Sequence, residues 1–370
     1  MGLFPQLKFD TPSRGSDIGS PFIRRMHAPS PDHFPPPEAS RSRYRWALHR
    51  FACFCAGSIL FLICLGGLVT SHEAGMSVPD WPTTYGYNMF YFPWQDWVGG
   101  ILYEHSHRLV AFGVGILVSI LAVWLCFQER VWLRWMGLTV PIFIALEATL
   151  GGLRVILQED QIGILHGCLA QLLFVVVSLI ALFTSRWWIE ARPGIIPPRW
   201  TGRALAICSL IFAQLIIGAT MRHEHAGLSI NDFPLAYGQI WPKVDSASVD
   251  RYNQERLAQN ETSTTAIYIN MQMVHRVGAV IITMAILAAA AAVWLTPGTA
   301  PVLRRWSAAW VGLVFLQFIL GACTIWTNKA ADVATTHVAT GALTFVLGAL
   351  LTAISWRLQS RGELATRGAK

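Results

Sequence analysis

Long apolar runs alternate with polar connections along most of this chain. The runs fall at about 48–70, 108–127, 132–153, 163–184, 203–221, 272–295, 303–323 and 336–356. Each is close to the roughly 20 mainly apolar residues that carry an α-helix across a bilayer. The pattern therefore predicts an all-α membrane protein with eight transmembrane helices. Residues 1–46 hold eight of the nineteen prolines, scattered arginines and no apolar run, which predicts a disordered tail. The tail lacks the apolar region of a secretory signal, and Asp10, Asp17, Asp32 and Glu38 set it apart from an acid-poor mitochondrial transit peptide.

An internal repeat organises the spans. AGMSVPDWPTTYG at 74–86 matches AGLSINDFPLAYG at 226–238 in seven of thirteen positions, each copy following the first span of a set of four. An even number of spans per copy gives both copies the same orientation, related by an axis along the membrane normal. Two tandem four-helix bundles are expected, at 47–185 and 203–357. A linker at 186–202 joins them, and a cytoplasmic tail follows from 358 to 370.

Of the 370 residues, 54% are hydrophobic and 13% charged, against roughly 25% charged in an average soluble domain. An ordinary soluble enzyme is excluded. The net charge of +7 is explained by its placement and implies no nucleic acid. The first, third, fifth and seventh connections are poor in Lys and Arg for their length. Basic residues gather before the first span (Arg41, Arg43, Arg45, Arg50), in the other connections and after the last span. The positive-inside bias makes both termini cytoplasmic. All seven cysteines (Cys53, Cys55, Cys64, Cys126, Cys168, Cys208, Cys323) fall in apolar spans with no CxxC pair, so neither a disulfide framework nor a zinc site is supported.

Four histidines form a pattern. His107, His166, His275 and His337 sit at the outer ends of the second, fourth, sixth and eighth spans, the pairs separated by 59 and 62 residues. Taken singly, each reads as an interface residue. Repeated at one depth on alternate helices, they point to two bis-imidazole metal centres of the kind bundles build from facing helices. Zinc wants three or four gathered ligands and copper a neighbouring thiolate, whereas haem needs two axial ligands and an apolar slot. Haem fits best. The odd-numbered spans end on Leu65-Gly66-Gly67, Leu150-Gly151-Gly152, Ile217-Gly218-Ala219 and Leu320-Gly321-Ala322. These small residues suit close helix packing or a flat cofactor against the backbone.

The halves differ where Glu104 precedes His107 by three residues and Gln272 precedes His275 by three. Residues at i and i+3 share a helix face, so only the first half offers an acid beside its histidines. That acid can move protons, or it can pair with Arg108 or cap the helix. Arg108 and Arg276, each following a histidine, suit haem propionates or headgroup anchoring. Glu147, Gln214 and Gln317 lie four residues before a glycine in the third, fifth and seventh spans, where interhelical hydrogen bonds are the ordinary account.

Glu104-xx-His107-Arg108, Leu-His166-Gly, His275-Arg276, Thr-His337, the LGG ends and Pro-Asp-Trp-Pro at 79–82 together resemble the haem A synthase family, over about residues 50–356. The resemblance implies an enzyme of the bacterial inner membrane, less so the mitochondrial one, that oxidises the C8 methyl of haem O to the formyl of haem A by successive hydroxylations. It implies that His107 and His166 bracket haem O in the N-terminal half with Glu104 as the catalytic carboxylate, and that His275 and His337 ligate haem b in the C-terminal half. Its partners are haem O, the lipid bilayer and an external electron donor, with contact to a haem O synthase and a homo-oligomer left open. Some members carry cysteines in outer loops and this chain carries none, which would place it in a cysteine-free subgroup. Two rivals remain at this stage: a di-haem cytochrome that only transfers electrons, and a transporter suggested by the repeat alone.

Overall fold

A computed structural model describes residues 38–128 and 131–367, with side chains described for 46–128 and 131–359. The elements are α1 (Glu38–Ser71), α2 (Gly99–Cys126), α3 (Val131–Ile156), α4 (Ile162–Thr184), α5 (Arg186–Glu190), α6 (Trp200–His223), α7 (Ser246–Ala258), α8 (Ala266–Leu295), α9 (Pro301–Trp326) and α10 (Ala331–Arg367). Among the described residues eight helices, all but α5 and α7, are long and apolar enough to cross a membrane. The protein is an all-helical, multi-pass membrane protein.

Several helices overrun their apolar runs. Up to residue 37 the expected tail lies outside the described residues, but residues 38–46 belong to α1. They follow the Pro35-Pro36-Pro37 triplet and contain neither proline nor glycine, so nothing interrupts the helix. Likewise α10 continues through the expected C-terminal tail to Arg367. Helix α8 starts at Ala266 because Thr265 caps it, its hydroxyl accepting from Tyr268 N–H. The polar turn Tyr103–Ser106 in α2 stays helical because the preceding loop packs onto it and satisfies Glu104 and His105.

The spanning helices pack around two cores. Leu48, Ala52, Ile59, Val118, Leu121, Val140 and Val177 centre the first; Trp200, Ile211, Ile286, Leu303, Trp310 and Leu351 centre the second. Helices α4 and α10, the last of each set, lie between them: 50% and 61% of their apolar windows are buried, against 17–33% for the other six. Lipid supplies no hydrophobic drive between helices, so close packing and internal hydrogen bonds must hold the bundle. Gly137 lets α2 and α3 approach, since a Cβ there would lie 2.8 Å from Ala122 O. Trp200 and Trp310, fully buried, donate their indole N–H groups to Ala289 O and Thr344 O, both at 3.0 Å.

Both copies of the repeat build the same turn. Asp80 accepts from Tyr85 N–H (2.7 Å) and Gly86 N–H (2.9 Å); Asp232 accepts from Tyr237 N–H (2.8 Å) and Gly238 N–H (3.0 Å). Tyr85 and Tyr237 return their hydroxyls to Ser77 O and Ser229 O. The connection that holds the second copy of the repeat, between α6 and α8, also carries α7, which the apolar pattern did not signal. It is capped by Asp245 and tied to the repeat by Tyr252 stacked on Tyr237 with ring centroids 3.8 Å apart.

Replacing Trp310 with Ala empties a fully buried site and strips Thr344 O of its donor. The expected cost is about 3–5 kcal/mol, read as a lowered melting temperature in detergent, whereas Trp306→Ala, at the partly exposed periphery of the same helix, leaves the melting temperature nearly unchanged.

Candidate functional site

At the end where α1, α3, α6 and α9 finish and α2, α4, α8 and α10 begin, one cavity of about 1610 Å³ runs between the two sets of helices. Single ligand pockets occupy roughly 300–1,000 Å³, so this one has room for more than one ligand. His107, His166, His275 and His337 all line it, as do Glu104, Arg108 and Arg276. The repeat loops lie over it through Trp81, Pro82, Phe233 and Pro234.

Each imidazole rests against a glycine of the preceding spanning helix. An added Cβ would stand 3.2 Å from His107 Cε1 at Gly66, 3.4 Å from His166 Cε1 at Gly151, and 3.2 Å from His275 Cε1 at Gly218 and from His337 Cε1 at Gly321. The two explanations of the small pairs therefore divide between neighbouring residues. The first glycine makes room for the imidazole; the second packs elsewhere, Gly67 against Thr335 and Gly152 against the Trp81 ring.

One turn earlier on the same four helices stand Leu62, Glu147, Gln214 and Gln317, all lining the cavity. Glu147 Oε2 lies 2.6 Å from His166 Nδ1, at ion-pair distance although the ring N–H does not point straight along the contact. The Gln214 amide lies 3.0 Å from His275 Nδ1 and donates to His275 O at 2.7 Å. The Gln317 amide lies 3.3 Å from His337 Nε2. The interhelical bonds expected of these residues thus reach the imidazoles themselves. Leu62 offers His107 nothing, and His107 Nδ1 is buried without a partner.

Glu104 and Gln272 occupy equivalent places but are bound differently. Glu104 is 4% exposed; Val78 N–H donates to its Oε2 (2.8 Å) and Arg108 Nη2 to its Oε1 (2.6 Å). Arg108 also donates to Val78 O, Asp80 O and Thr83 O. In the other half Gln272 closes both bonds itself, accepting from Ile230 N–H (2.7 Å) and donating to Ile230 O (3.0 Å). Arg276 binds Asp232 O and Leu235 O and keeps a buried Nε without a partner. His105 faces away from His107, fully buried beside Thr84, Phe92 and Trp97.

Other residues at the cavity gave less sign in the sequence. Arg222, counted among loop residues, sits in the last turn of α6 and donates to Gly67 O (2.5 Å) and Ser71 Oγ (2.6 Å), joining the two halves. Asp160 receives Arg154 and, at 3.1 Å, His223. Burial alone would raise the Asp160 pKa, but these two partners outweigh it and hold the carboxyl well below its ordinary range. The Arg222 and His223 contacts join segments distant in the chain, and no spacing announces them.

Native proteins leave few buried polar atoms unsatisfied. Here His107 Nδ1, Glu147 Oε1, His166 Nδ1, Arg276 Nε, Gln317 Oε1 and His337 Nδ1, among others, lack hydrogen-bond partners at the wall of one cavity. Among the described residues no three or more His, Cys, Asp or Glu side chains gather as a metal cluster. Paired imidazoles, glycine-floored slots and unspent polar atoms suit flat, metal-bearing groups held by two nitrogens each.

The architecture and site define a class: an eight-span membrane protein with four imidazoles around a shared cavity. Residues 49–349 match the family described as cytochrome oxidase assembly protein, and the chain belongs to that family. Similar proteins include Heme A synthase of Halalkalibacterium halodurans, 27% identical over 57% of this chain and 71% of that protein. Heme A synthase of Bacillus cereus (strain AH187) is 25% identical over 75% and 84%. Heme A synthase of Shewanella oneidensis is 24% identical over 81% and 94%.

Gly321→Val lowers the haem retained per purified protein, because the His337 imidazole must move. Gly312→Val on the same helix, where an added Cβ meets nothing within 4 Å, leaves it unchanged; absorbance of the purified protein reads both.

The Asp80 turn gives a pH prediction. Burial pulls its pKa up, but hydrogen bonds from Gly86 N–H, the Thr83 hydroxyl and Tyr85 N–H outweigh that and hold it below the ordinary 3.8. A depressed folded value means the contribution is full above the ordinary value and is lost as pH falls through the folded one. Protease cleavage within 77–92 should therefore accelerate below about pH 4. In Asp80→Ala it should be fast already at neutral pH.

Proposed function

We propose that this chain oxidises the C8 methyl group of haem O to the formyl group of haem A through successive hydroxylations, as a membrane-bound oxidoreductase. The difference between Glu104 and Gln272 carries this reading. Two halves with the same glycine-backed imidazoles differ by a carboxylate in one and an amide in the other. A group that only passes electrons uses no acid, whereas a hydroxylation is accompanied by proton transfers that a carboxylate can carry.

Residues 47–185 form the substrate half, in which His107 and His166 hold haem O and Glu104 holds or moves a proton at its Oε atoms, steadied by Val78 N–H and Arg108. Residues 203–357 form the electron half, in which His275 and His337 hold haem b. Haem b, when bound, supplies one-electron transfer. Arg108 and Arg276 lie where they can meet propionates while pinning the repeat loops, and the loops exclude water. The sequence has no flavin, nicotinamide or iron–sulfur fingerprint, so the redox partners are external: with dioxygen as the oxidant, each hydroxylation puts one oxygen atom into the methyl group and reduces the other to water with two protons and two electrons from an external donor. No loop cysteine takes part, because all seven cysteines lie in spanning helices. The charge placement sets both termini in the cytoplasm of a bacterial cell and the histidine end toward the outer face of its inner membrane.

The test is expression in a haem O-producing host without its own haem A-forming enzyme, with extracted haems identified by chromatography and mass. Wild type should yield haem A and its hydroxylated precursor. Glu104→Gln should fold, since its amide oxygen can accept from Val78 N–H as that of Gln272 does from Ile230 N–H, and should lose at least about 100-fold of the haem A. Only haem B or unmodified haem O in both, at full occupancy and with a working donor, would leave a di-haem electron carrier as the better account.

A further inference from the structure

The cavity wall can be followed inward along each spanning helix from the level of the histidines. On α8 it ends at Thr283, eight residues past His275. On six other helices it ends seven residues inward of the histidine or of the glycine facing it, at Ile59 on α1 and Leu173 on α4 for example. Helix α2 is the exception. Its wall continues through Ile116, Ser119 and Ile120 to Val123, sixteen residues past His107. At 1.5 Å per residue that is about 24 Å along the helix axis, twice the depth reached on α8.

This α2 arm is apolar and open on one side. Phe112, Ile116, Ile120 and Val123 line the cavity and yet are 47–59% exposed, so the arm opens sideways toward lipid. Ser119, its one polar side chain, donates its hydroxyl to Gly115 O at 2.7 Å. The inner end lies level with the close contact of Gly137 on α3 with Ala122. Exposed apolar side chains are ordinary on a membrane helix: Met284, as far past His275 as Ile116 is past His107, is 61% exposed and lines no part of the cavity. Continuity with the histidine site, rather than exposure, sets the α2 arm apart.

We propose that the α2 arm seats the isoprenoid chain of the substrate haem, and so makes the N-terminal half the one that takes haem O. This deepens the reading given above and rests on it. A ring held by His107 and His166 with its propionates toward Arg108 turns its opposite edge inward, along the arm, and in haem O the isoprenoid chain leaves the ring at that edge. Lipid is as apolar as the arm, so the arm offers the chain a path rather than a hydrophobic drive. The cavity of the C-terminal half has no such continuation past Thr283, which suits a haem without the chain.

The test uses full-length protein purified from two hosts, one making haem O and haem B and one making haem B alone. Retained haems are separated by chromatography, with haem B as the measure of folding. Gly115→Phe adds bulk at the mouth of the arm, where an added Cβ meets nothing within 4 Å. It should lower haem O and its oxidised products per haem B at least about five-fold, the low end of what overpacking an apolar slot costs. From the host making haem B alone it should retain as much haem as wild type. Gly113→Phe, which also enters open space on α2 but lies outside the cavity wall, should behave as wild type in both hosts. If Gly115→Phe loses both haems, Ser119→Phe, one turn deeper, decides: a selective loss of haem O supports the assignment and its absence overturns it. Unchanged haem O in both variants, including the case in which they displace only a co-purified phospholipid, overturns the assignment while leaving haem binding intact. Wild-type protein that retains haem B but neither haem O nor an oxidised product from the host making both overturns the assignment together with the reading beneath it.

Discussion

The contact of an imidazole edge with a glycine backbone is the constraint around which the rest of this protein is arranged. An imidazole that keeps a nitrogen unspent must be held by other contacts, and in a bilayer an unspent polar atom is expensive. Gly66, Gly151, Gly218 and Gly321 meet that demand by touching the rings chiefly at Cε1. An added Cβ at Gly66, Gly218 or Gly321 would crowd the ring, which would have to give. The arrangement also fixes which helices must be neighbours: each histidine-bearing helix lies against the glycine-bearing helix that precedes it among the spans.

The loops depend on the same helices. Arg108 and Arg276 follow the histidines by one residue and reach back to carbonyls of the repeat turns. The turns in turn are folded around Asp80 and Asp232. A single helical turn thus presents the imidazole to the cavity and ties down the segment above it. This economy explains why histidine, arginine and the aspartate turn were duplicated together, while the surrounding connection was free to gain α7 in one copy.

Much of this was legible in the sequence. The eight spans follow from apolar length alone, because lipid demands continuous apolar helices, and the four histidines stood out through repetition. The early starts of α2 and α8 were hidden because Tyr103, Glu104 and His105 are polar and are satisfied only by a loop that has folded onto them. Glycine pairs announce close approach but not what approaches, so Gly66 beside His107 and Gly67 beside Thr335 look alike until the helices are placed. Arg222 reads as one more outer charge; its bonds to Gly67 and Ser71 exist only once two distant helices meet.

The two halves share their skeleton and differ in charge. At the three polar positions facing the histidines the C-terminal half has Gln214, Gln272 and Gln317, all amides; the N-terminal half has Leu62, Glu104 and Glu147. Amides satisfy neighbours without offering a proton acceptor of variable charge, and a site lined by them changes little when an electron arrives. Carboxylates in a low-dielectric wall respond strongly to any change of charge beside them. Glu104 is paired with Arg108, and Glu147 stands 2.6 Å from the His166 ring. The two copies thus share the placing of their histidines and glycines and part at three neighbouring side chains, all amides in one copy and two acids with a leucine in the other.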